Sequence, residues 1–312
     1  MKQLPLMISL DLELLWGLKH RISSPTDAYL ANIENVPIVM DKLISVFEDY
    51  KILACVGAVS AINFSNSNDL CEFLDSSGKA GEILSKEFDI FEGEKLFGQD
   101  MFYNPKLITR LEKSDFIRMG SHSFIHYNFS GGNNAELLAM AEIELSGKFL
   151  SEVKYNWDKF YIFPRNSYNK LLVEKLHHCG FEAYRGVANN FLYNNSLSNN
   201  YWKRGLRLVD GSFKIAEPSR MPKQSCNSKI FNDCATFFLR PVKSNSYFAN
   251  MQLKRLISHV DYCASNEIIP HLWWHPHNFG KDIDSNVSQL VKFFDIIKEK
   301  YSLIEPRLFS RK

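Results

Sequence analysis

Strand-like apolar runs alternate with helical patterns along most of this 312-residue chain. Residues 4–8 (LPLMI) and 51–59 (KILACVGAV) are continuous apolar runs, typical of strands that are covered on both faces. Between them, residues 34–50 place their apolar side chains on one helical face. The alternation continues, with further strands predicted at 115–122, 158–165, 181–186, 235–241 and 267–274, and with one short strand at 205–210 among long loops. It predicts an α/β fold with a parallel sheet, either a (β/α) barrel or an open doubly wound sheet.

The composition is that of a soluble globular protein, and we expect one domain over residues 1–312. The net charge of +2 gives no indication of a nucleic-acid partner, and no apolar run approaches the length of a membrane span. Residues 1–13 make a poor secretory signal. Six cysteines occur without C-x-x-C spacing, which predicts reduced thiols. These features predict a cytoplasmic protein.

The first strand is followed by two acids, Asp11 and Glu13, within the run SLDLELLWG. Residues two apart on a strand share a face, so both carboxylates are expected to point to one place. Two like charges in one place are unfavourable unless a metal ion or an arginine lies beside them. Because active sites of parallel α/β folds gather at the carboxyl ends of strands, we expect a site there.

His122 and His126 follow another strand, in the run HSFIH. A four-residue spacing would let both imidazoles meet one cation across a helical turn. Ser123 stands where a zincin has its general base. Such a pair alone also occurs as core or surface histidines. With a carboxylate from Asp11 or Glu13, it would make an open metal site of the catalytic kind.

Two further strand ends carry reactive side chains. The run HLWWHPHNFG contains His271, His275 and His277, and His275 stands where the strand breaks into a loop. His271 could equally be a buried partner on the same face. Arg165, in FPRNSYN, either closes a surface loop or lies beside a carboxylate such as Asp11 and lowers its pKa.

The order Asp-x-Glu, H-S-x-x-H, an arginine-centred strand end and a terminal strand ending in histidine resembles the polysaccharide deacetylase family, which has the NodB-homology fold. The resemblance runs from Ser9 to Phe279. Its overall pattern is similar to a subgroup found in O-antigen and other surface-polysaccharide gene clusters. The resemblance implies a distorted (β/α) barrel with about seven parallel strands and a divalent metal ion, most commonly zinc. It implies an acetylated sugar, nucleotide-sugar or oligosaccharide as the substrate.

Carried over to this chain, the family motifs give each site residue a role. They make Asp11 the catalytic base, His275 the general acid and Arg165 the residue that holds the base. The implied metal ligands are Glu13, His122 and His126, and the implied substrate contacts are Tyr168 and Trp274.

The chain also departs from the family pattern. Leu12 occupies the slot of a second, adjacent aspartate, and Ser167 stands where proline is usual. Trp202 and Asp210 match the fourth motif only weakly. The Asp-x-Glu sequence is equally compatible with a metal held by Asp11 and with Glu13 turned into the sheet. A C–N hydrolase of a small amide or ureide and a non-catalytic sugar-binding protein are the alternative functions.

Overall fold

The computed structural model describes residues 3–21, 26–87, 90–127, 134–187, 209–210, 215–218, 229–242, 247–301 and 303–309. Its strands are β1 (Gln3–Leu12), β2 (Ala54–Ala58), β3 (Ile117–Ser121), β4 (Phe160–Ile162), β5 (Ala183–Arg185), β6 (Phe231–Asn232), β7 (Phe237–Phe238), β8 (His271–Trp274) and β9 (Leu303–Arg307). Its α-helices are α1 (Asp27–Glu34), α2 (Val36–Tyr50), α3 (Ser67–Asp75), α4 (Gly78–Glu87), α5 (Ile90–Phe97), α6 (Pro105–Glu112), α7 (Ala135–Glu152), α8 (Lys170–His178), α9 (Tyr247–Ser265) and α10 (Ile283–Lys300).

Every pairing between these strands is parallel, in the order β6-β5-β4-β3-β2-β1-β8-β7, with β9 on β1. The segment 231–238 connects the two ends of this order, because β6 pairs with β5 and β7 pairs with β8. Counting β6 and β7 as two halves of one irregular strand gives seven positions, namely β1 to β5, the β6–β7 segment and β8. The predicted distorted barrel is confirmed.

Strand alternation separates two packing faces. A small cluster inside the barrel takes alternate residues from several strands, together with Phe309, which follows β9: Met7, Cys55, Phe160, Ile162, Ala183 and Phe309. The larger core lies between the sheet and the helices and contains the intervening residues of β1, such as Leu6, Ile8 and Leu10. Ser9 and Asp11 follow Met7 on the inner face, so the polar site lies directly above the apolar filling of the barrel.

The helices follow the sequence pattern. In α2 the buried residues are Val36, Val39, Met40, Leu43, Val46 and Phe47, the spacing of one helical face. The Asn104 side chain caps α6 by accepting a hydrogen bond from the Leu107 N–H, and Pro105 occupies the first turn. Helices α3 to α5 and strand β9 were not predicted. The short strand expected at 205–210 lies almost wholly outside the described residues.

No helix in the described part of the chain is long and apolar enough to cross a membrane. Five cysteines lie in that part (Cys55, Cys71, Cys179, Cys234 and Cys263), and all five are free thiols. Cys226 lies outside the described residues.

Candidate active site

The end of β1 places both acids of the Asp-x-Glu pair over the barrel. Asp11 lies within the strand, in register with Gly57 of β2, and Glu13 follows the last strand residue. Leu14 then turns the chain with a left-handed φ of 48° into a 3₁₀ helix, Leu14–Arg21. The Trp16 indole anchors this helix by donating to the Phe102 carbonyl at 2.7 Å. Asp11 and Glu13 are both buried, so each needs a partner of opposite charge.

Asp11 has Arg185 as its partner. The guanidinium, fully buried on β5, donates to both Asp11 oxygens at 2.5 and 2.6 Å. It also donates to Ser9 Oγ and to Asn166 Oδ1, each at 3.1 Å, and lies 4.3 Å from the Trp273 ring centre. Burial alone would raise the pKa of Asp11, but the charge and hydrogen bonds of Arg185 lower it below its usual range. Asp11 is therefore an oriented, ionised carboxylate.

Glu13 has histidines as its partners. Its Oε1 lies 3.0 Å from His122 Nε2, 3.0 Å from His126 Nε2 and 3.3 Å from His275 Nε2. Burial opposes ionisation of Glu13, yet the nearby histidine charges hold its pKa well below the usual range. Glu13 thus points into the site, and the alternative in which it turns into the sheet is wrong.

The run HSFIH is a loop, so the helical turn expected across it is wrong. Ser123 and His126 have left-handed φ values of 70° and 58°. Buried Glu142 of α7 fixes this loop by accepting hydrogen bonds from the backbone N–H groups of Phe124 (2.6 Å), Ile125 (3.0 Å) and Tyr127 (2.9 Å). This loop conformation places the ring centroids of His122 and His126 4.9 Å apart.

The donor set of Glu13, His122 and His126 fits a divalent cation. One ligand atom from each lies within 4.8 Å of the others, and all three residues are buried. His122 Nδ1 lies 2.9 Å from the Ile162 carbonyl, which can only accept, so Nδ1 carries the proton. In the neutral ring, Nε2 then turns a lone pair toward the Glu13 carboxylate, an arrangement that a proton or a cation between them stabilises. Two imidazoles and one carboxylate suit zinc, with positions left open for water and substrate.

His275 and His277 differ sharply in environment. His275 Nε2 lies 3.8 Å from Asp11 Oδ2, and about a fifth of its side chain (22%) is exposed in the cavity. Burial lowers the pKa of His275, but Glu13 and then Asp11 raise it above the usual value. His277 is buried, lies 3.0 Å from the Tyr29 hydroxyl, and has its pKa lowered by burial to about 3. Of the two, only His275 lines the cavity.

The sequence left open whether His271 is a buried partner, and in the structure it is one. Its Nε2 lies 2.8 Å from Ser9 Oγ, and Ser9 in turn accepts from Arg185. Burial lowers the pKa of His271 to about 3. It therefore supports the Arg185–Asp11 pair as a neutral ring.

A cavity of about 370 Å³ opens above these groups. Its described lining residues are Asp11, Glu13, Gly17, His126, Arg165, Asn166, Val187, Phe238, Arg240, Trp273 and His275. Arg165 is among them, but the hydrogen bonds to Asp11 come from Arg185, so Arg185 takes the base-holding position that the resemblance implied for Arg165.

The two predicted substrate contacts lie outside this lining. Trp274 is fully buried and stacks on Phe279, so it cannot touch a ligand, whereas its neighbour Trp273 lines the cavity. The half-buried Tyr168 stacks on Phe163, and its hydroxyl accepts a hydrogen bond from the Val187 N–H.

The weak fourth-motif candidates are also not part of the described lining. Trp202 lies outside the described residues. Asp210 is buried and bonded to Arg255 of α9, which it helps to hold against residues 215–217.

Sequence reasoning missed Arg185, Glu142 and Trp273. One signal could have found Arg185: it stands two residues after Ala183 on a buried strand, so it must point inward and needs an acid there. The same alternation selects Trp273, which shares the face of His275. Glu142 gives no such signal, because its role depends on how α7 packs against the histidine loop.

Solved structures with this architecture were found at low sequence identity. No protein-family model and no curated protein matches the sequence. A protein from Mycobacterium smegmatis assigned as a polysaccharide deacetylase is 10% identical, with a TM-score of 0.55 over 100% of this chain and 95% of its own. Puue allantoinase is 10% identical, with a TM-score of 0.54 over 99% and 87%. A GH57 branching enzyme from Thermococcus kodakaraensis is 11% identical, with a TM-score of 0.54 over 97% and 70%. These similarities establish the fold.

Proposed function

We propose that this chain, which has the NodB-homology fold of the polysaccharide deacetylases, is a metal-dependent hydrolase that removes an acetyl group from an acetylated sugar. Zinc as the metal, surface-polysaccharide biosynthesis of the O-antigen kind as the context and the cytoplasm as the compartment are parts of the same proposal.

One observation supports this proposal most directly: the two acids of Asp-x-Glu share a cavity but have different partners. Asp11 is held at both oxygens by Arg185, whereas Glu13 lies among His122 and His126. A carboxylate fixed by an arginine, with an oxygen facing the cavity, suits proton transfer. A carboxylate that shares its oxygen with two imidazoles suits metal binding.

The chemistry follows from these positions. A divalent ion held by Glu13, His122 and His126 would polarise the acyl carbonyl and make water more acidic. Asp11 takes a proton from the attacking water while the oxygen of that water forms a bond to the acyl carbon. His275 donates a proton to the sugar nitrogen or oxygen as the bond to the acyl group breaks. The products are acetate and the deacetylated sugar.

The alternatives predict different outcomes. A non-catalytic sugar-binding protein has no need for an oriented carboxylate and a cavity-facing histidine 3.8 Å apart, and this chain has both Asp11 and His275 in that arrangement. A C–N hydrolase of a small ureide would use the same groups, and the structural similarity to an allantoinase is the observation that favours testing it.

The test combines metal content with turnover. Purified protein, reconstituted with zinc, is assayed for acetate release from acetylated sugars and for hydrolysis of allantoin. We expect acetate release that chelation abolishes and zinc restores. His122→Ala should lose metal and activity, while His178→Ala, an exposed histidine on α8, should keep both. Full metal occupancy in His122→Ala would contradict the site, and allantoin turnover without acetate release would favour the second function.

A further inference from the structure

Strand β7 has only two residues, Phe237 and Phe238, yet Phe238 lines the cavity. Its ring lies 4.5 Å from the ring of Trp273, so these two side chains form one aromatic wall. In the described part of the chain, β7 pairs only with β8, with Phe238 in register with Trp273. Because a strand this short makes few backbone hydrogen bonds, contacts outside the sheet must help to hold it in register.

The opposite face of β7 packs on two buried side chains of α9. The Phe237 ring lies 4.9 Å from the His259 ring, and the Arg255 guanidinium lies 5.5 Å from the Phe237 ring centre. Arg255 and His259 are four residues apart and share one face of the helix. Both are buried, so their polar atoms need hydrogen-bond partners.

Glu217 is the partner of both side chains. Its Oε1 accepts a hydrogen bond from Arg255 at 3.0 Å, and its Oε2 lies 3.1 Å from His259 Nδ1. An ionised carboxylate can only accept, so His259 Nδ1 carries a proton. Burial lowers the pKa of His259, so the ring is neutral near pH 7 and Nε2 presents a lone pair.

Thr236, the residue before β7, connects His259 to β8. Its Oγ1 lies 3.0 Å from His259 Nε2 and 3.3 Å from the His271 carbonyl, so the hydroxyl proton goes to the nearer lone pair on Nε2. The same oxygen accepts the His271 N–H at 2.8 Å, and the Thr236 N–H donates to the His271 carbonyl at 2.9 Å. A chain of hydrogen bonds therefore runs from Glu217 through His259 and Thr236 to the first residue of β8.

We propose that Thr236 and His259 are positioning residues, which hold β7 in register with β8 and thereby keep Phe238 in the cavity wall. A slip of one residue would exchange the faces of Phe237 and Phe238 and take the Phe238 ring out of the wall. A buried network whose members are hydrogen-bonded to one another restricts a segment to one arrangement. This inference rests on the proposed function and adds that the aromatic wall contacts the sugar ring of the substrate.

The test measures KM and kcat for acetate release separately, with N-acetylglucosamine and its 6-O-acetyl ester as probes. Thr236→Val keeps the side-chain shape but removes the hydroxyl, and we expect KM to rise about threefold or more with kcat within about twofold of wild type. His259→Leu should have the same effect. Thr236→Ser retains the hydroxyl and should keep the wild-type KM. Val260→Ala, at a buried residue beside His259, is the control, because a smaller folded fraction lowers kcat without changing KM.

Phe238→Ala tests whether the effect passes through the aromatic wall. This variant should itself raise KM. Adding Thr236→Val to it should raise KM little further, because that change acts by misplacing a ring that is already absent. Unchanged KM in Thr236→Val, or additive effects of the two changes, overturns the inference and leaves deacetylation standing.

If neither probe is hydrolysed, hydrogen exchange decides the inference without any measurement of activity. The Leu239 N–H donates to the Trp273 carbonyl at 2.9 Å, at the end of β7 away from Thr236. In Thr236→Val we expect this amide to exchange faster relative to the amides of β2, whereas Val260→Ala should leave that ratio unchanged. A raised ratio in Thr236→Val supports the positioning role although the proposed function has failed, and an unchanged ratio overturns it.

Discussion

Replacing Arg185 with methionine tests whether this buried arginine holds the ionised Asp11. Methionine keeps an unbranched apolar side chain but removes the donors to Asp11, Ser9 and Asn166. Removing one partner of a buried ion pair typically costs about 3–5 kcal/mol, because the other charge is left uncompensated. Asp11 borders a cavity that water can enter, so we expect the lower end, about 3 kcal/mol.

The loss of folding stability in Arg185→Met should depend on pH. In the wild-type protein Arg185 lowers the pKa of Asp11, so the pair contributes stability above the unfolded pKa of about 3.9 and loses it as pH falls through the folded value. In Arg185→Met, burial is no longer opposed by the arginine and raises the Asp11 pKa. Ionising the carboxylate then costs stability as pH rises. The free energy of unfolding of Arg185→Met should therefore lie furthest below the wild-type value near pH 7, and the difference should shrink toward pH 4.

The assay is urea unfolding followed by tryptophan fluorescence, with a chelator present so that metal does not contribute. Asp11→Asn and the double variant complete a double-mutant cycle, in which we expect a coupling free energy of about 2 kcal/mol or more between the two residues. Additivity within about 0.5 kcal/mol, or a deficit that stays constant between pH 4 and pH 7, would refute the reasoning.

Three further outcomes test the rest of the site. Gly17→Ala should weaken zinc binding measured by chelator competition, because the added Cβ would lie 2.1 Å from Glu13 Oε2; unchanged affinity would contradict the ligand role. His275→Gln should keep its zinc, lose about 10²–10⁴-fold in kcat and lose the descending limb of the pH–rate profile, whereas His277→Gln should retain that limb. Glu142→Gln should leave the histidine loop less fixed, which hydrogen exchange of the Phe124–Tyr127 amides and a lower zinc affinity would reveal.

Strand periodicity predicted the parallel α/β sheet and the face that Asp11 and Glu13 share, because both depend on local rules. The distorted barrel and the metal ligands were implied by the family resemblance. The inward face of β1 follows from alternation, which is why Asp11 and Glu13 could be placed together from sequence alone. The choice between Arg165 and Arg185 depends instead on how the barrel closes. Segment 231–238 pairs with β5 and β8 and thereby brings β5, with Arg185, opposite β1. No spacing in the sequence encodes that closure.

The two-residue spacing of Asp-x-Glu explains why one acid is held rigidly and the other can reach a metal. Asp11 lies inside the hydrogen-bonded part of β1, whose register with β2 ends at Leu12 and Ala58. Its backbone is fixed by the sheet, and its carboxylate is fixed by Arg185. Glu13 lies one residue beyond that register, where the left-handed Leu14 redirects the chain and Gly17 leaves room for the carboxylate. In this chain position 12 faces the opposite side of β1, where Leu12 packs in the core, so the acid that shares the cavity with Asp11 stands at position 13.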